Sequence, residues 1–598
     1  MERVVAPLVT PTREGTLSDL AERDAREHPD RVAFARRDGA GWSDVTSAQF
    51  HGEVRALAKG FVAAGLEVGD RVAIMSKTRY EWTLADFAAW TAGLVPVPIY
   101  ETSSVEQVKW ILEDSGAAAI VLETTAHAAI LAEAREDLPG LRDVWQVDSG
   151  GLDEVAMLGS DITDEQLDSR RERLDRDSIA TIIYTSGTTG RPKGCQLTHQ
   201  NFMGLTENTV ERLAEVVRAQ DASTLLFLPL AHVFARFIEV LCVAAGARMG
   251  HSSDIKNLMA DFASFRPTFI LAVPRVFEKV YNSAEQNTTA EGKGKIFAVA
   301  ADTAIAYSEA LDRGGPGVAL RARHAVFDRL VYGKLRAAMG GKVQYAVSGG
   351  APLGPRLGHF FRGIGLTILE GYGLTETTAP ATVNTPDLIK IGTVGPPLPG
   401  AGVRIADDGE VLLKGVGVFA SYRGEEQATV DAMQDGWFHT GDLGSLDEDG
   451  FLRITGRKKE LLVTAGGKNV APAALEDGLR AHPLISQCMV VGDQKPFIAA
   501  LITLDEEMWP TWSKNHGLED VPFDLARTQE AVHEQVQQAV DQANKAVSRA
   551  ESIRTFRILA GDFTEENGYL TPSLKLKRSV VMKDFAKDVE QLYAGPKP

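Results

Sequence analysis

Residues 184 to 194 read Tyr184-Thr185-Ser186-Gly187-Thr188-Thr189-Gly190-Arg191-Pro192-Lys193-Gly194, directly after the apolar run Ile179–Tyr184. The glycines permit tight backbone turns, the hydroxyls can donate to oxyanions, and Lys193 adds a cation. These are the ingredients of a polyphosphate cradle at the end of a strand. It is not a Walker A loop: five residues past Gly187 stands Pro192 and five past Gly190 stands Cys195, so the G-x-x-x-x-G-K-[ST] spacing fails.

Other segments carry groups that could serve such a site. Pro229-Leu230-Ala231-His232-Val233-Phe234-Ala235-Arg236 holds a histidine, although a lone histidine among apolar residues is ordinarily a core residue. In Ser348-Gly349-Gly350-Ala351-Pro352-Leu353, after the run Val343–Val347, the glycines would let the backbone approach a flat nucleobase. Glu370-Gly371-Tyr372-Gly373-Leu374-Thr375-Glu376-Thr377 places a ring, hydroxyls and carboxylates at the end of the run Leu366–Leu369. Trp437-Phe438-His439-Thr440-Gly441-Asp442 ends in a carboxylate that could accept from two hydroxyls. Gly456-Arg457-Lys458-Lys459 taken alone is a basic turn, and Leu570-Thr571-Pro572-Ser573-Leu574-Lys575-Leu576-Lys577-Arg578 taken alone is an edge strand with solvated lysines. Gly415-Val416-Gly417-Val418-Phe419-Ala420, with Asp435 beyond it, fits a dinucleotide fingerprint, but it lies among short strands and turns rather than in a βαβ unit and is set aside.

The elements that must position these groups follow from the hydrophobic pattern. The runs Arg71–Met75, Val95–Ile99 and Ala118–Leu122 alternate with amphipathic segments near Tyr80–Ala92 and Val105–Ser115, after a capped helix start at Ser18-Asp19-Leu20. That rhythm predicts parallel α/β sheets. It returns at Ile179–Tyr184, Thr268–Val273 and Val343–Val347, whose terminal turns are where an open sheet binds its ligand. Past residue 400, short strands such as Glu410–Leu413 and Phe451–Ile454 predict a small β-rich subdomain, and the last 140 or so residues a smaller α+β domain. The turn Thr455–Lys459 is the expected boundary, dividing 1–456 from 457–598. At 598 residues the chain exceeds one ordinary core, which favours a multi-part enzyme over a small binding module. Cys195, Cys242 and Cys488 are too dispersed for a disulfide framework or a zinc site. A net charge of −18 argues against nucleic acid and against strong attraction to anionic lipid. No apolar run suits a signal peptide or a bilayer span, so a cytoplasmic protein is expected. No basic amphipathic helix compels a membrane reading, and peripheral contact at the inner membrane face through a small apolar or basic patch stays open, as does oligomeric state.

The segment 184–194, and the others in their order along nearly the whole chain, resemble the motifs of the adenylate-forming superfamily: acyl-CoA synthetases, peptide-synthetase adenylation domains and beetle luciferases. The wording of Phe227–His232, Val273–Lys279 and Leu570–Arg578 is most similar to bacterial long-chain fatty acyl-CoA synthetases. The resemblance implies that Thr185 to Gly190 and Lys193 cradle the phosphates of ATP, that Thr188 and Glu376 hold Mg²⁺, and that His232 stands beside the acyl carboxylate. It implies a nucleotide pocket of Gly349, Gly350, Ala351, Glu370, Gly371, Tyr372 and Gly373, with Tyr372 stacked on adenine, Thr375 at the α-phosphate, Asp442 on the ribose and Arg457 at the nucleotide. Lys459 would be the pivot of the C-terminal domain, Gly466 part of the coenzyme A tunnel, and Lys575 the catalytic ammonium, with Lys577 as the alternative register. Many relatives carry Ser-Gly before that lysine where this chain has Ser573-Leu574, a departure shared by long-chain synthetases.

The chemistry so implied is attack of a fatty acid's own oxygen on the α-phosphate of ATP, then transfer of the acyl group to the thiol of coenzyme A, without a protein nucleophile. The alternatives are a fatty acyl-AMP ligase serving a carrier protein, a ligase for a medium-chain or aryl acid, and a non-catalytic nucleotide-binding scaffold. The run Arg457–Val463 has no insertion and no module follows Lys575, which favours coenzyme A. Acetylation of Lys575 would remove its charge reversibly.

Overall fold

The computed structural model describes residues 1–39, 41–185, 191–571 and 574–594. Apolar β-branched runs that need cover on both faces assemble into parallel sheets flanked by helices. In one, Arg71–Met75 lies between Val95–Ile99 and Ala117–Leu122, and Asp143–Gln146 completes the parallel set. A second joins Ser223–Leu226, Arg248–His251 and Val32–Asp38 in parallel, with Gly41–Thr46 antiparallel at its edge. A third joins Phe269–Ala272, Tyr345–Ser348 and Thr367–Leu374 in parallel, with Ala379–Val383 antiparallel. The fold is thus α/β, with a separate C-terminal domain built on Ile485–Val491, Ile498–Leu504 and Ile553–Ile558 under its own apolar cluster.

Three local expectations are corrected. Ile179–Thr185 is not a parallel strand: it pairs antiparallel with Lys193–Thr198, Thr185 facing Lys193. The connection 186–192 is too short for a parallel crossover, which needs about a dozen residues. The helix Tyr80–Thr91 is buried on nearly every face rather than amphipathic. Its polar Asp86 is accommodated because Arg236 reaches it from the helix Val233–Ala245, through Nε at 2.9 Å and Nη2 at 2.7 Å. The helix Ser18–Glu27 lacks a side-chain cap; instead the Asp19 carboxylate accepts the Thr16 N–H at 2.6 Å.

The fingerprint-like segment after Glu410–Gly415 follows a strand paired antiparallel on both sides, in a β-rich sheet that includes Ala401–Ile405 and Trp437–Leu446. No βαβ unit exists there for a dinucleotide. All three cysteines are buried.

The Arg236–Asp86 pair is the most deeply buried ion pair described, both side chains being at most 1% exposed. Arg236 also donates from Nη1 to Thr181 Oγ1 at 2.6 Å, which ties two helices to the strand that leads into the segment 186–190. Glu239, one turn on and fully buried, has its carboxyl pushed far up by burial and by Asp86, so it stays neutral beside the pair. Removing one partner of such a pair leaves an uncompensated charge. Asp86→Ala should therefore lower the stability of the large domain by about 3–5 kcal/mol in urea unfolding, whereas Asp86→Leu combined with Arg236→Met should return most of it. A double variant as unstable as the single one would show that packing, not the stranded charge, sets the cost.

Candidate active site

The carboxyl-terminal ends of the third parallel sheet and the hairpin Ile179–Thr198 converge on one crevice. A Cβ on Gly349 would stand 3.5 Å from the Phe234 ring and 3.6 Å from the Gly371 carbonyl, so three of the singled-out segments meet there. Gly350 has φ +84°, and Gly373 could carry no Cβ, which would fall 1.8 Å from the Ala379 carbonyl oxygen. Both positions therefore require glycine. Ala351 is exposed beside them.

The strand Thr367–Leu374 carries Glu370, Gly371, Tyr372 and Gly373, and Thr375 opens the 3₁₀ turn Thr375–Thr377 that holds Glu376. The Tyr372 hydroxyl donates to Asp442 Oδ2 at 2.6 Å, and Arg457 Nε donates to Asp442 Oδ1 at 2.7 Å. Burial and the Asp442 carboxylate push the Tyr372 phenol far up, so it remains a donor. Asp442, only 3% exposed, is thereby oriented from two sides. The Glu376 carboxylate accepts from the Tyr422 hydroxyl at 2.7 Å, and the Lys193 ammonium lies 5.2 Å from the Tyr422 ring centre. Tyr422 thus links the lysine of the hairpin to the carboxylate of the turn. It was not singled out in the sequence; its only signal was its place at the end of the subdomain segment, and its partnership with Cys195 across the strands is a tertiary fact.

His232 caps the helix Val233–Ala245, its Nδ1 accepting the Phe234 N–H at 3.2 Å, which leaves Nε2 to carry the ring proton. Burial, helped by the nearby Lys575 ammonium, depresses its pKa to about 3. The imidazole is therefore neutral, with an Nε2–H to donate and no charge to offer. Lys575 comes from the C-terminal domain. Lys575 is an exposed residue, although protein crowds the ammonium at the end of its side chain. That crowding, together with Arg457, holds its pKa below the ordinary lysine range, while Asp442, Glu376 and Glu460 act the other way. Lys577 instead is anchored through its backbone N–H to the Tyr569 carbonyl at 2.8 Å.

The docking that delivers Lys575 was not legible in the sequence. From the helix Pro274–Ala290, Arg275 donates to Asp505 at 2.9 Å and to Glu278 at 3.3 Å, with all three side chains no more than 17% exposed. Lys279 meets Glu507 at 2.6 Å, Asn515 donates to the Gln286 carbonyl at 3.0 Å, and Thr102 donates to Glu565.

Other singled-out residues stand apart. The Glu370 carboxylate accepts the Leu353 N–H at 3.2 Å, fastening the loop 348–353 to the strand. Gly466 lies on an exposed turn between Thr464 and Lys468, outside the crevice. Lys459 is exposed on the 3₁₀ turn Lys458–Glu460, whereas its neighbour Lys458 is held by Asp408 at 2.6 Å and Glu410 at 2.9 Å. Ser186, Gly187, Thr188, Thr189 and Gly190 lie outside the described residues; Thr185 and Lys193 bracket them. Among the described residues no group of three His, Cys, Asp or Glu side chains is placed to hold a metal. A Mg²⁺ bridging phosphates needs only one or two carboxylates, and Glu376 keeps one oxygen uncommitted to Tyr422, so the residues fit it.

A cavity of about 1000 Å³ lies away from these residues, and it is lined by four helix C-terminal caps, His28, Arg218, Gly246 and Arg266. Arginines around it are engaged within the protein: Arg31 by Asp24, Arg218 by Glu211 at 2.7 Å, Arg248 by Asp44 at 2.8 Å, and Arg266 by the Gly340 carbonyl at 3.2 Å.

The chain matches the model of the AMP-binding enzyme over residues 21–423 and that of the AMP-binding enzyme C-terminal domain over residues 459–597. It is 53% identical over 597 residues to the long-chain-fatty-acid–CoA ligase FadD15 of Mycobacterium tuberculosis, covering 99% of each chain. It is 30% identical over 611 residues to the long-chain-fatty-acid–CoA ligase ACSBG1 of Homo sapiens, covering 95% of this chain and 83% of that one. Among solved structures it resembles the anthranilate CoA ligase AuaEII in complex with anthranoyl-AMP, with a TM-score of 0.73 at 19% identity, covering 96% of this chain and 98% of that one. The adenylation domain of a carboxylic acid reductase from Segniliparus rugosus, solved with AMP, gives a TM-score of 0.75 at 20% identity, covering 97% and 94%.

Burial raises the Glu370 carboxyl from its ordinary 4.5 to about 7. Between those values the folded protein binds a proton that the unfolded chain releases, so stability should fall as pH rises through that window. Glu370→Gln should make the fall of the melting temperature from about pH 5 to about pH 7 shallower; an unchanged slope would clear Glu370 as its source.

Proposed function

The chain belongs to the AMP-binding enzyme family, and we propose that it is a long-chain fatty acid:CoA ligase, which joins a fatty acid to AMP at the expense of MgATP and passes the acyl group to coenzyme A. The full-length likeness to long-chain ligases supports the substrate class. The observation that carries the mechanism is Lys575, which a second domain brings among His232, Asp442, Glu376 and Arg457. We place the division between the domains at 456/457.

In the first step a fatty acid oxygen attacks the α-phosphorus and the bond to pyrophosphate breaks. Asp442 would accept from the ribose hydroxyls, Tyr372 would cover the adenine while its hydroxyl keeps Asp442 in place, and the glycine edge of 349–351, 371 and 373 would admit the base. Thr185, Lys193, Thr375 and the segment Ser186 to Gly190 would donate to phosphate oxygens. Glu376, with Thr188, would hold Mg²⁺, which when bound neutralises phosphate charge. His232, neutral through the working pH range, would donate to the carboxylate. Lys575 would sit between two anions that otherwise repel and offset charge where it develops.

In the second step the thiol attacks the acyl carbonyl and AMP leaves. The exposed Gly466 turn has no part in the arrangement observed, so the C-terminal domain would turn about Lys459, withdraw Lys575 and bring Gly466 to the pantetheine arm. A fatty acyl-AMP ligase is disfavoured because Arg457 runs without interruption into the turn at Lys458 and the strand Leu462–Val463. No helix of the described residues is long and apolar enough to cross a membrane, and we place the enzyme in the cytoplasm. Acetylation of Lys575 would switch off the first step alone. ATP- and CoA-dependent thioester formation across acids from short to long chain tests the assignment; a preference for short or aryl acids would overturn the long-chain reading.

Lys575→Ala should slow acyl-AMP formation by about 10²–10³ yet convert supplied acyl-AMP and CoA at near wild-type rate. Loss confined to the first step in Lys577→Ala instead would move the role two residues on. Asp505→Ala, which unfastens Arg275, should slow the first step by about tenfold and spare the second, since it acts on the docking rather than on the pocket. Equal losses in both steps would show a general structural defect. Lys459→Pro, which fixes φ and removes an N–H, should preserve acyl-AMP formation and block thioester formation; loss of both in a folded protein would count against the pivot.

A further inference from the structure

The chain is acidic overall, but residues 311–342 hold seven Lys and Arg against Asp312 and Asp328, a local net charge of +5 within a total of −18. This stretch forms the helix Val318–Phe327 and the π-helical turn Asp328–Tyr332 that continues it. No residue of the helix is buried. Val318, Val326 and Leu330 are 84%, 56% and 56% exposed, an unusual concentration of apolar surface on one short element.

The disposition of these residues around the axis is ordered. At 100° per residue Val318, Ala322, Ala325 and Val326 fall on one stripe, with Arg321 on one flank and Arg323 on the other, while Arg329 and Leu330 extend the stripe into the π turn. The opposite face is the one that packs inward. His324 stacks on Tyr307 at 3.9 Å and donates from Nε2 to the Gly363 carbonyl at 2.6 Å, and Phe327 packs on the core cluster beneath. The outward stripe is thus fixed by the fold and is not the result of a loosely held helix. Among the described residues Arg321, Arg323 and Arg329 have no ion-pair partner, and the carboxylate nearest in sequence, Asp328, is taken by Arg336 at 2.7 Å.

We propose that this helix and turn form a docking surface for an anionic lipid bilayer. The apolar stripe would enter the boundary between headgroups and acyl chains, and the flanking arginines, their stems lying along it, would meet lipid phosphates. Charge selects this occupant. A second copy of the chain would set one +5 surface against another, and a neutral surface would leave three unpaired guanidinium groups without partners. The acidic remainder of the molecule opposes any wider contact, which confines attachment to this element and makes it reversible. Because long-chain acids partition into bilayers, the surface would set the enzyme at a reservoir of substrate, but the inference stands on the helix alone and not on the ligase reading.

The experiment is sedimentation of the full chain with vesicles of phosphatidylcholine containing phosphatidylglycerol, and with vesicles of phosphatidylcholine only. Binding is expected to the first, to weaken with added salt, and to be slight to the second. Arg321→Glu, Arg323→Glu and Arg329→Glu together should lower the partition by about a hundredfold or more, since each basic residue at an anionic surface is worth about a factor of five. Val318→Asp with Val326→Asp should abolish it by a separate route. Each variant should keep wild-type melting behaviour and wild-type ligation of a water-soluble medium-chain acid; loss of ligation in every form, wild type included, would be a failure of the functional reading and leave vesicle binding as the judge of this one. Failure of the wild type to bind anionic vesicles, equal binding to both vesicle types, retention by the arginine variant, or self-association through this face in ultracentrifugation would each overturn the proposal.

Discussion

A single ammonium, Lys575, is carried on one domain and stands among the charges of another, and most of the architecture can be read as the means of putting it there. Its neighbours Asp442, Glu376 and His232 come from a strand, a 3₁₀ turn and a helix N-terminus of the large domain. Among the described residues no ion pair joins its ammonium to Asp442 or Glu376, whose carboxylates are engaged by Tyr372, Arg457 and Tyr422. The lysine is placed by contacts remote from it, of which Arg275 with Asp505 and Glu278 is the most sheltered. Sheltered, hydrogen-bonded charge pairs of this kind define orientation more than they add affinity.

Within the large domain the same economy appears at the Arg236–Asp86 pair. The residues after His232 that look like an apolar helix carry an arginine whose partners lie on Tyr80–Thr91 and on the strand leading to residues 186–190. One side chain thus sets the relation between the histidine's helix and the strand Ile179–Thr185. Tyr422 does the corresponding work on the other side, between Lys193 and Glu376.

Much of this was legible from residues. The alternation of β-branched runs with helical segments carried the sheet class, whereas strings such as Tyr184–Gly194 and Glu370–Thr377 point to a site only when taken together in their order along the chain. What was missed has a common physical cause. Whether Ile179–Thr185 pairs parallel or antiparallel depends on its partner strand, not on its own sequence. Asp86 made its helix look amphipathic because its counter-charge is 150 residues away. That the Glu370 carboxylate would fasten the loop at Leu353 was likewise not legible, because its partner is set by tertiary packing. The basic helix at 318–327 was hidden by an average: a net charge of −18 describes the molecule seen from a distance, whereas a surface feels charge only within a Debye length of about 10 Å.

The burial of all three cysteines has a practical side. Burial pushes the Cys488 thiol up to about 12, and Cys195 is likewise raised, so the native sulfurs are both inaccessible and poorly nucleophilic. The chain therefore offers a chemically silent background on which one thiol placed in each domain could be labelled selectively. A donor and acceptor dye pair attached there would make the relative position of the two domains a directly observable distance, turnover by turnover, in the otherwise unmodified protein.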